Sequence, residues 1–281
     1  MKTTIKKRIS LREKAYLFLV LCAISSAAAQ NASDYFPSKV GNTWRYQKFV
    51  LDTSQLPIAS SKTIESDTLS GGLQVGGVAA SVTLNRSGSI LDSTYINVQG
   101  STISEYVVGY PRIATLLPVD SLGLDFVWDY LNWYPYMKFT ATPGVTDTLL
   151  YLKNQVIKFK GQYLTLIIRV TTTRLPDTSV TVPAGTYITS PFQIVLTVNI
   201  PKSQPPFGRY EVPLFRLVDT MFIAKNSWLV REVQPSTYYP LNNDPSYQVA
   251  TTQVPGFVRE LESASITSVS PREGSPREFS L

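Results

Sequence analysis

Five large aromatic side chains are concentrated within residues 128–136 of this 281-residue chain. They are Trp128, Tyr130, Trp133, Tyr134 and Tyr136. Aromatic rings combine apolar area with a polar edge, so such a cluster can contact a sugar, a lipid or a peptide. It can also plug the end of a curved sheet, because aromatic residues dominate the cores of β proteins. Composition favours the plug, and the five rings are the predicted contacts if the protein binds a ligand.

Three aspartates, Asp120, Asp125 and Asp129, accompany the rings. Two facing carboxyl groups can hydrolyse a glycosidic bond when a suitable distance separates them. Acidic residues are numerous enough along the chain to supply neighbouring pairs anywhere, and spacing in sequence does not give their separation in space. We therefore predict no catalytic residue, and a carboxylate-dependent carbohydrate hydrolase is the least favoured function.

The chain has no histidine and one cysteine. Without an imidazole it cannot assemble a Ser-His-Asp or Cys-His nucleophile, nor a histidine-ligated zinc or haem site. Oxygen-bearing residues at 238–244 lack the alternating ligands, the glycine and the distal glutamate of a known calcium loop. The sequence thus predicts neither a metal site nor a cofactor.

The first 29 residues have the three parts of a secretory signal peptide. Six basic residues and one acid occupy positions 1–14, an apolar run covers 15–24, and small residues follow. The pattern predicts cleavage after Ala29, with Ala27 and Ala29 at the recognition positions and Gln30 as the new N-terminus. The apolar run is about ten residues, and a membrane-spanning helix needs roughly 20. The expected location is the periplasm or the outside of the cell.

Cleavage would also change the chemistry of the chain. Cys22 follows Leu21, not the small residue that a lipoprotein signal requires, so we predict no lipid anchor and no cysteine in the mature protein. The formal net charge of +6 falls to about +1 once the leader is removed. No basic patch is evident in this composition, and a nucleic-acid partner is not expected.

Alternating apolar and polar residues recur along the mature chain and predict an all-β protein. Paired runs occur at 89–108, 149–174 and 212–233, with turn residues between them. Two further runs, 246–254 and 257–269, close the chain and are separated by a Pro-Gly turn. The strongest helical signal, at 120–131, lies between prolines and predicts a single turn. We expect one antiparallel sheet, strongly curved into a half-barrel or open barrel, with a β-sandwich as the alternative. Residues 30–269 form the predicted single domain, and the polar segment 270–281 is a predicted disordered tail.

Two phrases resemble a group of secreted bacterial envelope proteins. Residues 35–46 read YFPSKVGNTWRY, and residues 181–187 read TVPAGTY. The resemblance implies a fold similar to the half-barrels of periplasmic lipoprotein carriers, with an apolar concave face able to hold an acyl chain. The residues themselves predict a strand entry in which Trp44 and Tyr46 anchor the core, and a tight turn around Pro183 and Gly185.

These observations together predict a non-enzymatic envelope protein that binds a hydrophobic or lipid-like ligand or another envelope component. The alternative is a structural or adhesive surface module without a small ligand. The two differ in the concave face of the sheet, which a carrier leaves open to a ligand and a sandwich covers with a second sheet.

Overall fold

The computed structural model describes residues 30–106, 132–159, 162–204, 208–238 and 253–267. Within these ranges the chain forms strands and two short 3-10 turns, Ala32–Asp34 and Ala59–Ser61, and no α-helix. The strands are β1 (Thr43–Leu51), β2 (Thr63–Val75), β3 (Val78–Ser87), β4 (Ile90–Gln99), β5 (Thr102–Tyr106), β6 (Trp133–Lys138), β7 (Thr146–Phe159), β8 (Gln162–Arg174), β9 (Thr178–Val182), β10 (Gly185–Gln204), β11 (Gly208–Ala224), β12 (Trp228–Gln234), β13 (Thr237–Tyr238), β14 (Gln253–Val254) and β15 (Gly256–Ser265).

Thirteen of these strands form one antiparallel sheet. Its order is β6-β5-β4-β3-β2-β1-β15-β12-β11-β10-β8-β7, with β9 paired to β10, while β13 and β14 pair with each other. The sheet curves until its two ends meet at a seam between β6 and the β7–β8 hairpin. There the Thr172 hydroxyl donates to the Tyr136 carbonyl at 2.7 Å, and Lys138 pairs with Asp147 at 2.9 Å. This single, nearly closed sheet confirms the predicted open barrel over the sandwich.

Several local predictions are confirmed. The hairpin expected at 149–174 is β7–β8, and the hairpin expected at 212–233 is β11–β12. The predicted tight turn joins β9 to β10, where Val182 pairs with Gly185 and the glycine has φ of +137°, a conformation that favours a residue without Cβ. The β10 strand extends over 20 residues, because its ladder with β11 continues through prolines at 191 and 201.

The main apolar core lies at one end of the sheet and is closed by the N-terminal segment 31–36. The Ala32 amide donates to the Gly100 carbonyl at 2.9 Å, and the Asn226 amide donates to the Asp34 carbonyl at 2.7 Å. The Tyr35 ring stacks on Phe139 with centroids 3.9 Å apart. This segment, which we call the N-terminal plug, therefore covers the core at this end of the sheet.

Trp44 and Tyr46 anchor this core, as predicted. Both are fully buried. The Trp44 indole donates to the Ser227 carbonyl at 2.8 Å, and the Tyr46 hydroxyl donates to the Leu229 carbonyl at 3.1 Å. These bonds connect β1 to the β11–β12 hairpin across the interior. Because both polar atoms have hydrogen-bond partners, both aromatic side chains can be fully buried. Alternating aromatic residues therefore suit the start of the first strand.

Gly256, the first residue of β15, has a backbone that touches the chain near Ser236. Its amide donates to the Ser236 hydroxyl at 2.8 Å, and a Cβ added to it would overlap the Ser236 amide and the Gln234 carbonyl. We predict that Gly256→Ala lowers the free energy of unfolding by about 2–3 kcal/mol, since the backbone on both sides must move apart. Gly71→Ala, where an added Cβ meets nothing, is the control, and urea denaturation of both measures the difference. Equal stability of the two variants would contradict the overlap.

Three predictions fall outside the described residues. They are the signal peptide with Ala27 and Ala29, the helical turn at 120–131 and the tail at 270–281. They remain predictions.

Candidate binding interior and its polar belt

Charged side chains lie on the inner face of four neighbouring strands, just beyond the apolar core. The inner face is the one on which Trp44 and Tyr46 lie, and residues directly opposite each other in a ladder share a face. Tyr46 is opposite Glu65 on β2, Trp44 is opposite Asp67, and Arg259 on β15 is opposite Glu232 on β12. An inward charge is rare in a β protein and must be paired to be stable.

Arg259 is the centre of this group. Its guanidinium lies 2.6 Å from Asp67 Oδ1, 3.0 Å from Glu65 Oε2 and 3.7 Å from Glu232 Oε2. The guanidinium plane also covers the Tyr46 ring, and its central carbon, Cζ, lies 3.8 Å from the centre of that ring. Arg259 is 7% exposed, Asp67 3% and Glu232 1%. Each nitrogen of the guanidinium thus faces a carboxylate, and one face of its plane lies against the aromatic ring.

Hydrogen bonds extend the group across the sheet. The Thr94 hydroxyl donates to Asn85 Oδ1 at 2.7 Å, and Asn85 Nδ2 donates to Asp67 Oδ1 at 2.8 Å. On the other side, Lys48 Nζ lies 3.1 Å from Glu65 Oε1. The chain of contacts runs through β4, β3, β2, β1, β15 and β12, which are six successive neighbours in the sheet. We call it the polar belt: Lys48, Glu65, Asp67, Asn85, Thr94, Glu232 and Arg259.

Burial and charge shift the pKa values of the two groups at its centre. Burial raises the pKa of Tyr46, and the neighbouring charges of Asp67 and Glu232 raise it further, against a lowering by Arg259. For Arg259, burial lowers the pKa, but Asp67, Glu232 and Glu65 outweigh burial and hold the pKa above its ordinary value. Arg259 is therefore charged and Tyr46 neutral at neutral pH.

We predict that Tyr46→Phe removes part of the loss of stability at high pH. Because the pKa of Tyr46 is raised in the folded state, only the unfolded chain loses this proton just above pH 10, so wild-type stability falls as pH rises by about 1.4 kcal/mol per unit. The variant has no tyrosine hydroxyl to titrate at this position, so it lacks this pH-dependent fall in stability. Its free energy of unfolding at neutral pH is about 1 kcal/mol lower than that of the wild type, because the hydrogen bond to Leu229 is lost. Urea denaturation between about pH 8 and pH 11 should show the two stabilities converging. Tyr163→Phe, at an exposed position, should instead parallel the wild type.

Beyond the polar belt the inner face becomes apolar again, on two long hairpins. These are β7–β8, residues 146–174, and β10–β11, residues 185–224, which pair with each other through β8 and β10. Pairing places Val170, Leu196 and Leu217 directly opposite one another. The buried side chains of this surface, which we call the apolar chamber, are Leu152, Leu164, Leu166, Ile168, Val170, Leu196 and Leu217.

The five predicted aromatic contacts are divided by the structure. Tyr134 pairs with Glu105 and shares the inner face with Ile96, and its ring meets Tyr136 with centroids 6.4 Å apart. Trp133 shares the outer face with Tyr106, and its indole donates to the Val75 carbonyl at 3.0 Å. Trp128 and Tyr130 lie outside the described residues. Tyr134 and Tyr136 thus border the seam from the inside, whereas Trp133 holds the β2–β3 turn.

The buried carboxylates are poorly placed for catalysis. Asp67 and Glu232 are almost fully enclosed and are ion-paired to Arg259, so a sugar cannot reach them in this arrangement. Asp120, Asp125 and Asp129 lie outside the described residues. Among the residues that the structure describes, no group of three or more acidic or cysteine side chains has the geometry of a metal site. In the same ranges, no helix is long and apolar enough to cross a bilayer.

The polar belt was missed by sequence reasoning, although a weak signal is present. Arg259 is two residues from Phe257 and from Leu261, and Glu232 is two residues from Val230. A charge in register with buried apolar neighbours points inward when the strand alternation is strict. The charges beside them, at 260, 262 and 231, conceal that register.

Comparisons with known proteins give distant similarities. The chain matches no protein-family model and no curated protein. Among solved structures, it resembles a candidate lipoprotein from Parabacteroides distasonis at 13% identity, over 82% of this chain and 98% of that one, with a TM-score of 0.41. A candidate exported protein with a YmcC-like fold from Bacteroides fragilis gives 11% identity, the same coverage and a TM-score of 0.41. The resemblance to envelope proteins stays a prediction.

Proposed function

We propose that this protein is an exported, non-enzymatic binding protein of the cell envelope, and that its apolar chamber holds a ligand with an apolar chain. The carrying observation is the continuous inner surface of Val170, Leu196 and Leu217, which begins at the polar belt and borders the seam. A chain enclosed there gains the free energy of apolar burial, about 0.8 kcal/mol per methylene. The polar belt borders this surface, so its charges set the electrostatic environment that the ligand's polar end would meet.

Entry through the seam is supported by how the sheet closes. Its ends are joined by side-chain contacts, Thr172 to the Tyr136 carbonyl and Lys138 to Asp147, and a continuous backbone ladder is absent between the described parts of β6 and β7. Half-exposed ion pairs such as Lys138–Asp147 contribute little to stability. Parting the seam therefore costs less than breaking a ladder, and Tyr134 and Tyr136 would line the opening.

The polar belt favours a neutral or cationic head group over an anionic one. Arg259 is engaged by three carboxylates, so it has no free side to offer to a ligand carboxylate. Asp219 on β11 adds a further buried acid beside Leu217. An anionic head group would face an excess of negative charge at low dielectric, which is costly. We expect a monoacylglycerol to bind and the corresponding fatty acid to bind at least tenfold more weakly.

Native mass spectrometry of the exported protein, purified without detergent, tests the proposal. Monoolein and oleate are added separately, and the bound fraction of each is measured. Leu196→Trp should abolish binding by filling the apolar chamber, and Thr197→Trp, on the opposite face of the same strand, should not. Tyr134→Ala should weaken retention, and Trp133→Ala should leave the affinity of the folded protein unchanged. Bare protein in both titrations would contradict the proposal and favour the structural or adhesive module.

The intact mass in the same experiment tests export and processing. Cleavage after Ala29 gives a chain of residues 30–281, without cysteine or a covalent lipid. Processing before Cys22 with an added acyl mass would show a lipoprotein instead. An uncleaved chain would contradict the signal peptide.

A further inference from the structure

Charge is distributed unevenly over the mature chain. The parts of the two long hairpins around their turns, residues 150–169 and 199–216, contain seven basic residues and one acid, Glu211. The rest of the predicted mature chain contains 13 basic and 18 acidic residues. A net charge near +1 therefore hides two parts of the chain whose net charges have opposite sign. A concentration of positive charge attracts a negatively charged surface.

The basic side chains surround an aromatic ring on the outer face of the β7–β8 hairpin. Tyr151 is directly opposite Arg169. Lys153 Nζ lies 4.9 Å and the Arg169 guanidinium carbon 4.7 Å from the centre of the Tyr151 ring. Arg216 is exposed and lies on the same face, because Thr197 on β10 is directly opposite both Arg169 on β8 and Arg216 on β11. The one acid in this region, Glu211, is 4.0 Å from Arg169 and accepts a hydrogen bond from Asn199.

Large apolar side chains continue this face toward the end of the hairpin. Tyr163 is 75% exposed and Val156 is 56% exposed. Strand alternation places Tyr163 and Thr165 on the same face as Arg169, and therefore on the same face as Tyr151. Val156 shares this face because it is directly opposite Thr165. Tyrosine is favoured where an apolar body and a polar tip meet different media, as at a membrane interface.

We propose that this outer face docks on an anionic phospholipid surface. Lys153, Arg169 and Arg216 would approach the lipid phosphates, and Tyr163 and Val156 would enter the head-group region. Charge complementarity selects the partner: the face is basic, carries exposed aromatic and aliphatic groups, and is the part of the chain with the largest excess of positive charge. A basic face with interspersed apolar residues is the pattern of a peripheral membrane contact. The proposal is independent of the ligand in the apolar chamber.

Vesicle co-sedimentation with the processed, exported protein tests this. Vesicles of phosphatidylcholine with about 30% phosphatidylglycerol are compared with pure phosphatidylcholine at about 0.1 M salt. The expected preference for the anionic vesicles is at least about 20-fold, and it should decline as salt shortens the range of the attraction. The double variant Lys153→Gln/Arg216→Gln should bind roughly 25-fold more weakly, since each basic residue near such a surface contributes about fivefold. Tyr163→Ala should weaken binding at high salt as well.

The matched control is Lys39→Gln/Arg86→Gln, which removes the same charge from two exposed positions outside this face, one before β1 and one on β3. It should retain wild-type binding. Equal losses in both double variants would overturn the proposal, because they would show a response to net charge alone. Absence of binding to the anionic vesicles, or retention on polyphosphate but not on vesicles, would also overturn it. Melting temperatures of all variants should match the wild type, so that a loss reports the surface and not the fold.

Discussion

Replacing Arg259 with leucine should lower the free energy of unfolding by about 3–5 kcal/mol, among the largest effects of any single substitution in this protein. The variant leaves Glu65, Asp67 and Glu232 without the cation that lies between them. Removing one partner of a buried charge group costs far more than the group contributes as a whole, because the remaining charges are desolvated and unpaired. Urea denaturation at neutral pH measures the loss.

The pH dependence separates this cause from simple loss of packing. In Arg259→Leu, the folded state should hold protons on these carboxyl groups more tightly than the unfolded chain does, so stability should fall as pH rises and recover in acid. The combined variant Arg259→Met/Asp67→Asn/Glu232→Gln, which carries no unpaired charge, should regain part of the loss. Arg45→Leu is the control, since its exposed pair with Glu262 contributes less than about 1 kcal/mol. A loss of stability in Arg259→Leu that does not depend on pH would show that the guanidinium stabilises the fold by packing and not by its charge.

The fold was predictable because alternation along a strand is a local property. Trp44 and Tyr46 share a face wherever β1 pairs, and the turn at Gly185 depends on adjacent residues only. The all-β class also follows from long runs of β-branched and aromatic residues with few helical signals, whereas the curvature into a half-barrel was implied by the resemblance to envelope proteins. These features do not require knowledge of which strands are neighbours.

The polar belt could not be predicted in this way. Asp67 and Arg259 are separated by 192 positions and meet only because β1 pairs with both β2 and β15. A charge at an alternating position is equally compatible with solvent until the order and register of the strands are known. The basic outer face escaped for a related reason, because a net charge summed over the chain cancels two regions of opposite sign.

The aromatic cluster at 128–136 shows the same limit over a short stretch of chain. Trp133 and Tyr134 are adjacent, so strand geometry must send them to opposite faces. We predicted that they form one surface, because the only element predicted nearby was the helical turn at 120–131. The N-terminal plug was missed as well, because its residues had been interpreted only as the entry to β1.

Phe36→Ala should therefore cost about 3–5 kcal/mol of stability, as large as any core substitution in the sheet. Phe36 is 1% exposed and meets the Trp228 ring edge-on, with centroids 4.8 Å apart. Truncation leaves a cavity that the plug cannot collapse to fill, since backbone hydrogen bonds hold it to Gly100 on one side and to Asn226 on the other. Thermal or urea unfolding measures the effect.

Tyr163→Ala is the control for Phe36→Ala, because it removes an aromatic ring that is 75% exposed and should change stability by less than about 0.5 kcal/mol. A second measurement distinguishes a plug from a dispensable arm. If residues 31–36 close the core, hydrogen exchange at Ile223 and Val230 should accelerate in Phe36→Ala, since both side chains belong to the same buried cluster. Wild-type stability with unchanged exchange would mean that the strands close this end of the sheet without the plug, and that the phrase at 35–46 acts only through Trp44 and Tyr46.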